Sequence, residues 1–198
     1  MSEPSRADGR SWRSIEDLAG LVGAYCWIEQ RIFEVTGRWA TAPEPAEDGS
    51  AALRVWSAAT SRRHGALAGR WADRLPVRAG VDQGALVVAP AAPEGLAEAF
   101  EQLGATRELT GGVSALVETV LPWVGGLYGA HLGCATPAAE GSVMEVLVEA
   151  RREGAAEIRS GRSTLEGLGE AGKPSRHLAE PVKRAFAPRG ITPAVRPG

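Results

Sequence analysis

Ionisable residues interrupt the apolar stripes that the sequence predicts for four long helices. Helical spacing places one carboxylate or imidazole on each stripe, among hydrophobic neighbours. Ionisable side chains are rarely buried without a partner, so two acids and two histidines on core faces are expected to pair. A histidine beside a carboxylate titrates near neutral pH and can serve as a general acid or base. The four residues are Glu29, His64, His131 and Glu157.

Three roles are open to these four residues. They can form a buried hydrogen-bonded network that only fixes the register of the helices. They can supply an acid/base pair at the floor of a pocket. Alternatively, His64 and His131 with one or two of the glutamates can hold a single Zn or non-haem Fe ion. Because a helix rises about 1.5 Å per residue, the late positions of His131 and Glu157 leave open whether all four converge.

Aromatic residues are numerous, with six tryptophans in 198 residues. Core packing accounts for such residues in general, and an aromatic-lined pocket for a flat organic ligand is the alternative. We therefore take Glu29, His64 and His131 as catalytic candidates. The ligand-binding candidates are Tyr25, Trp56, Tyr128 and Glu157, and no residue is assigned to a metal.

The helices that must position these residues have recognisable ends. Ser14 can cap the first helix, with acids in its first turn, and Thr136 followed by Pro137 is a helix-start signal for the fourth. A long connection, 77–112, carries one short helix at about 93–103 and is typical of a crossover between two helical hairpins. The four long helices are predicted at about 14–37, 50–74, 113–134 and 137–168.

The third long helix has an unusual composition. Pro122 is expected to kink it, and glycines follow at 125, 126, 129 and 133. Glycine lowers helix propensity, so this number of glycines needs a structural reason. Either another helix packs closely there, or the glycines leave room for a ligand.

This layout resembles the ferritin-like superfamily over roughly residues 14–168. The resemblance implies an all-α, ferritin-like four-helix bundle with a long crossover between the second and third helices. In metal-binding members, the first and third helices each supply a glutamate, and the second and fourth each supply Glu-x-x-His.

The ligand set that this resemblance implies is incomplete in the chain. Glu29 matches the first-helix glutamate and His64 matches the second-helix histidine, but Ser61 stands where the second-helix glutamate belongs. Glu118 is the only acid on the third helix. The fourth helix has no histidine, and its nearest approaches to the motif are Glu149-x-x-Arg152 and Glu153-x-x-Ala156. The resemblance therefore implies the scaffold without a full di-iron site, and the cofactor stays unknown.

Bulk composition restricts the function classes. The net charge of −2 gives no general attraction to nucleic acid or to an anionic membrane, so neither is expected as a partner. The apolar run 116–134 is interrupted by Glu118, Pro122 and several glycines, which argues against a membrane span. Cys26 and Cys134 lack CxxC spacing and are expected to be buried thiols in a reducing compartment. We expect a cytoplasmic protein, and the excess of arginine over lysine suggests a bacterial source.

Three regions are predicted: a disordered lead at 1–13, the helical bundle at 14–168, and a Pro/Gly-rich basic tail at 169–198 in which 178–186 can dock on the bundle. Trp27 and Trp39 are expected to be exposed, so a homodimer that covers them is possible. The sequence predicts a bundle whose pocket binds a small apolar or aromatic molecule, with possible acid/base chemistry and without metal. An iron-dependent oxidoreductase with a reduced ligand set and a non-catalytic scaffold are the alternatives, and whether the chain is an enzyme stays open.

Overall fold

The computed structural model describes residues 13–42, 50–77, 82–168, 176–187 and 190–191. Throughout these ranges the structure is all-α and contains no β-strand. Residues 1–12 of the predicted lead lie outside the described residues, as do 169–175, 188–189 and 192–198 of the predicted tail.

The first two helices form an antiparallel pair. Helix α1 spans Ile15–Thr41 and begins as predicted at Ser14, whose hydroxyl accepts a hydrogen bond from the Asp17 amide at 3.0 Å. Helix α2 spans Ser50–Ala72. The Cys26 thiol of α1 donates to the Ala68 carbonyl of α2 at 3.3 Å, and Ser61 donates to the carbonyl of Phe33 at 3.0 Å. Between these two pairs the residue numbers rise along α1 and fall along α2, so the two helices are antiparallel.

The connection after α2 contains a 3-10 turn, Gln83–Leu86, and helix α3, Leu96–Ala105. Helix α3 packs on α1 and also on the C-terminal helix, α7, which spans Arg176–Ala185. The ring of Phe186, just after α7, stacks edge-on against Phe100 at 5.3 Å and Trp123 at 5.0 Å. The end of the predicted docking segment therefore contacts the helical core.

A single helix, Leu109–Cys134, follows. It comprises α4 (Leu109–Ala115), a π-helical segment (Leu116–Val120) and α5 (Leu121–Cys134). Pro122 lacks an N–H and its ring clashes with the carbonyl four residues earlier in an α-helix, so the wider π turn directly before it relieves that conflict. By length and composition this helix could cross a membrane, but 61% of its most apolar window is buried inside the protein, as in a core helix.

Helix α6, Pro137–Glu166, begins after Thr136 as predicted. Its first turn is bent at Glu140, whose φ of −125° and ψ of 15° are not helical. Helix α6 runs antiparallel to α5, because Gly129 lies against Arg151 whereas Glu118, earlier in the chain, pairs with Arg162, later in the chain. Helix α6 is also antiparallel to α2, which it meets through the Arg70–Glu149 ion pair and the His64–Glu157 contact.

The tryptophans expected at the surface are largely covered. Trp39 is only 4% exposed, because α4 approaches it at Gly112, where an added Cβ would lie 2.7 Å from the indole ring. Trp27 is half-buried and stacks edge-on on Phe100 at 5.7 Å. The predicted exposure of Trp39 is therefore wrong.

Candidate functional site

Glu29 is the centre of a buried polar network. It lies in the middle of α1 and is 0% exposed. Its Oε1 accepts a hydrogen bond from the Tyr128 hydroxyl of α5, and its Oε2 accepts one from Nδ1 of His64 on α2. The indole N–H of Trp71 donates to the Tyr128 hydroxyl at 3.2 Å. Three helices are therefore tied to one carboxylate.

The second ring nitrogen of His64 is also engaged. Nη2 of Arg63 lies 2.7 Å from His64 Nε2, and it forms an ion pair with Glu157 Oε2 on α6. Glu157 Oε2 is itself 3.2 Å from His64 Nε2. This geometry fits an imidazole that donates from Nδ1 and accepts at Nε2, with the guanidinium donating to both acceptors.

Burial sets the protonation states of the network. Desolvation lowers the pKa of His64 below its ordinary value, and the hydrogen bond to Glu29 only partly opposes this effect. Burial, reinforced by the charge of Glu29, raises the pKa of Tyr128 well above its usual range. At neutral pH the network therefore holds a neutral imidazole and a protonated phenol that both donate to the Glu29 carboxylate.

A cavity of about 180 Å³ opens directly onto this network. Glu29, His64 and Tyr128 contribute polar groups from the buried network, and three charged residues also line the cavity: Arg63, Arg151 and Glu153. Most of the other walls are apolar, and they come from α2, α5 and α6. These wall residues include Leu67, Leu121, Pro122, Val124, Ala150 and Ile158.

Two glycines that line the cavity give it space. A Cβ added at Gly125 on α5 or at Gly154 on α6 would meet nothing within 4 Å. The glycines of the third long helix differ in role, because at Gly129 an added Cβ would contact the Arg151 guanidinium at 3.5 Å. The sequence left two explanations for these glycines, close packing of another helix and room for a ligand. Gly125 fits the second explanation.

His131 belongs to a different buried cluster. Its Nδ1 lies 3.1 Å from the Tyr25 hydroxyl, and its Nε2 lies 2.6 Å from Glu140 Oε2. Arg13 extends this cluster, because its guanidinium donates to Glu140 at 3.2 Å and to the Cys134 sulfur at 2.7 Å. The result is a second chain of hydroxyl, imidazole and carboxylate next to the first.

The electrostatics of this second cluster resemble those of the first. Burial lowers the pKa of His131. For Glu140, burial acts to raise the pKa, but hydrogen bonds from His131 and the Thr136 amide, together with the Arg13 charge, lower it overall. The Glu140 carboxylate is therefore ionised at neutral pH and accepts a hydrogen bond from the neutral imidazole of His131.

The structure separates the predicted site residues into three groups. Glu29, His64 and Tyr128 line the cavity. Tyr25 and His131 lie in the second cluster. Glu157 touches His64 but lines a surface depression on the other side of Arg63, together with Trp56.

The metal-binding alternatives are not assembled in this arrangement. His64 and His131 lie in separate networks, so they do not share a site. Glu118 is at the surface in an ion pair with Arg162. Within the described parts of the chain, no group of three or more histidines, cysteines or acids is placed to hold a metal ion.

Four residues of the two networks were not predicted from the sequence: Arg13, Arg63, Trp71 and Glu140. Arg63 falls outside the apolar stripe of its helix, a position typical of a solvent-facing side chain, but it is only 22% exposed, because it lies across the α2–α6 seam to reach Glu157. Glu140 is an acid in the first turn of a helix, a position where such residues ordinarily serve the helix dipole. The periodicity of the sequence does not predict that Glu140 bends toward His131. A buried histidine nevertheless requires a hydrogen-bond acceptor.

No protein-family model matches the chain, and neither a curated protein nor a solved structure matches it. The chemistry of the site therefore rests on its own geometry.

Proposed function

We propose that this chain is a divergent ferritin-like four-helix bundle whose cavity beside Glu29 binds a small apolar or aromatic molecule and acts on it by acid/base chemistry. The helix directions support the scaffold. Helix α2 is antiparallel to α1 and to α6, and α5 is antiparallel to α6. A long connection between α2 and the helix Leu109–Cys134 allows the second and third long helices to run in the same direction, as a crossover requires.

One observation carries the functional part of the proposal. A carboxylate, an imidazole and a phenol from three helices meet at one side of a cavity whose other walls are largely apolar. Ligand sites in proteins combine an apolar lining with a few convergent polar groups in this way. An apolar cavity of about 150 Å³ accommodates benzene, so a cavity of about 180 Å³ suits a ligand of one small ring.

The protonation states assign the roles. The Glu29 carboxylate is the base, since it is held by two donors and lines the cavity. Tyr128 keeps its proton and donates it in a hydrogen bond to Glu29 Oε1, so it holds the carboxylate at the cavity wall. His64 orients Glu29 through its Nδ1–H. A group of this kind transfers protons to and from a ligand that carries one polar substituent.

Ligand binding tests the proposal through the cavity itself. Benzene, phenol and cyclohexanol are added to the purified chain, and the midpoint of thermal unfolding, Tm, is recorded, because a ligand that binds only the folded state raises Tm. Gly154→Leu fills the cavity. Gly133→Leu is the matched control, because a Cβ at Gly133 also meets nothing within 4 Å but Gly133 does not line the cavity.

The wild-type chain and Gly133→Leu are expected to show the ligand-induced rise in Tm, and Gly154→Leu is expected to lose it. Phenol should raise Tm more than benzene, and that preference should disappear in Glu29→Gln, where the carboxylate acceptor is gone. An equal response of Gly154→Leu and Gly133→Leu would refute the cavity as the binding site.

The hydrogen bonding of the network also supports a second role, that of a non-catalytic scaffold. Both oxygens of Glu29 and both ring nitrogens of His64 are already engaged. A saturated buried network can serve only to fix the register of the helices, as in a non-catalytic scaffold. In that case Glu29→Gln lowers stability while benzene, phenol and cyclohexanol leave the Tm of the wild-type chain unchanged.

A further inference from the structure

A depression of about 380 Å³ lies where helices α1 and α3 end. None of the described residues lines both this space and the cavity of the proposed function. Of the described residues in its walls, three are arginines and none is an acid, so we call it the arginine depression. Its residues are Arg38, Trp39, Thr41, Ala42, Arg54, Gly104, Ala105, Thr106, Arg107 and Leu109.

Arg38 of α1 lies over the last turn of α3. A Cβ added at Gly104 would be 2.9 Å from Nη1 of Arg38, so the missing side chain of Gly104 makes room for the guanidinium. The ion pair of Arg38 with Glu101 is long, at 4.0 Å, and more than half of each side chain is exposed. An exposed pair of this kind contributes little to stability, so the guanidinium remains available to another anion.

Arg107 and Arg54 add two further charges. Arg107 is exposed in the turn between α3 and α4, and it forms no hydrogen bond or ion pair with a described residue. Arg54 is half-buried, and its Nη1 donates to the Ala42 carbonyl at the end of α1. The Thr106 hydroxyl oxygen accepts from the Glu108 amide at 3.3 Å, which leaves its hydrogen free to donate.

The charges at the arginine depression do not cancel. Helices α1 and α3 both end there, and a helix C-terminus carries about −0.5 of an elementary charge. Two such ends offset about one of the three arginine charges, so about two positive charges remain. Like charges gathered in one depression repel one another, and a bound anion removes that repulsion.

We infer that the arginine depression binds the phosphate group of a small molecule. A phosphate dianion matches the remaining positive charge, and the guanidinium fork donates to phosphate oxygens in pairs. Arg38 and Arg107 supply these forks. The Thr106 hydroxyl donates to a further oxygen, and Arg54 adds its charge without releasing Ala42. A carboxylate carries half the charge and therefore binds more weakly.

Three acids follow Ala42 in the sequence and lie outside the described residues: Glu44, Glu47 and Asp48. The inference requires that these acids leave the arginines available to a ligand. Phosphate binding to the full chain tests this requirement directly.

The test follows the backbone amide NMR signals of Gly104 and Arg107 while sodium phosphate is added to the full chain. The pH is about 8, where the phosphate group is a dianion, and sodium chloride holds the ionic strength constant. Methyl phosphate is the monoester counterpart, and acetate is an anion of single charge. We expect saturable shifts with phosphate and methyl phosphate, and at least about tenfold weaker binding of acetate. The tighter of the two phosphates identifies the ligand as the free ion or as a monoester.

Two variants probe the arginine depression at exposed positions. Arg107→Gln removes one guanidinium fork, and Ala105→Glu places a carboxylate in the wall. Each is expected to weaken phosphate binding at least about fivefold. Arg159→Gln and Ala66→Glu are the matched controls, because they make the same substitutions at exposed positions that do not line the depression. Both controls should bind phosphate as the wild type does.

Three results would overturn the inference. The first is the absence of saturable shifts at about 10 mM phosphate. The second is binding of acetate as tight as that of phosphate. The third is an unchanged phosphate affinity in both Arg107→Gln and Ala105→Glu. Gly154→Leu, which fills the cavity of the proposed function, is expected to leave phosphate binding intact, so the two proposals fail separately.

Discussion

Replacing Glu29 by glutamine keeps the shape of the side chain and removes its charge. In the wild type, both carboxylate oxygens accept hydrogen bonds, from Tyr128 and from His64, in a place that is 0% exposed. The amide of glutamine offers one acceptor oxygen and one NH₂ group, so one of the two donors loses its acceptor and faces another donor.

The magnitude follows from these contacts. A buried donor left without an acceptor costs about 1–3 kcal/mol, and a hydrogen bond to a charged group contributes about 1.5–3 kcal/mol. We therefore expect Glu29→Gln to lower the free energy of unfolding by about 3–5 kcal/mol, the sum of these two contributions. For a chain of this size that corresponds to a fall in Tm of about 6–20 °C.

Urea unfolding followed by circular dichroism measures the change, with Tm from thermal scans as the second readout. The matched control is Glu118→Gln, which removes the exposed ion pair with Arg162 and should leave the unfolding midpoint close to that of the wild type. A loss of less than about 1 kcal/mol in Glu29→Gln would refute the network, since it would show that Glu29 has no buried donors to satisfy.

Three further predictions concern pH and packing. Because burial lowers the pKa of His64 and of His131, the unfolded chain binds protons more readily than the folded chain. The stability contributed by these two residues should therefore be fully present above pH about 6.5 and decrease as the pH falls below it. Urea midpoints that do not change between pH 8 and pH 5 would contradict this prediction. Because burial raises the pKa of Tyr128, its contribution to the free energy of unfolding should be present below pH about 10 and be lost as the pH rises further. The loss of stability at alkaline pH should be smaller in Tyr128→Phe, as measured by the same urea unfolding curves. Gly161→Ala should destabilise by about 1–3 kcal/mol, since its Cβ would lie 2.5 Å from Val117 and 3.0 Å from the Trp56 ring; a Tm equal to that of the wild type would show that these helices can move apart at little cost.

The helices could be predicted because their ends and their periodicity are local properties of the chain. Ser14 caps α1 in the structure as its position predicts, and Thr136 with Pro137 marks the start of α6. The π-helical segment was not predicted, although Pro122 pointed to a disturbance there. A proline can be accommodated by a kink or by a wider turn, and the choice depends on what the neighbouring helices allow.

The candidate site was only partly predictable for a related reason. Periodicity assigns a residue to a helix face, so it identified Glu29 and His64 as core residues that must pair. Arg63 is adjacent to His64 in sequence and points to a different face, but a long side chain can lie across a helix seam, with its stem packed and its charge on a buried partner. Which partner it reaches depends on the packing of α2 against α6, and that is a property of the assembled fold.

The two buried clusters should behave as separate units in a double-mutant cycle. They meet through aromatic rings, Tyr25 with Tyr128 at 5.1 Å and Tyr25 with Trp71 at 5.2 Å, and no hydrogen bond between them is found in the described parts of the chain. Distant groups without shared partners are additive within about 0.5 kcal/mol, whereas residues of one network couple by about 0.5–3 kcal/mol.

Glu29→Gln combined with Glu140→Gln should therefore give the sum of the two single effects in urea unfolding. Glu29→Gln combined with Tyr128→Phe should fall short of the sum, because both changes remove the same hydrogen bond. Strong coupling between Glu29 and Glu140 would show that a proton or a charge is shared across the aromatic contact. In that case His64 and His131 would titrate as one system, and the cavity chemistry proposed for the first cluster would have to include the second.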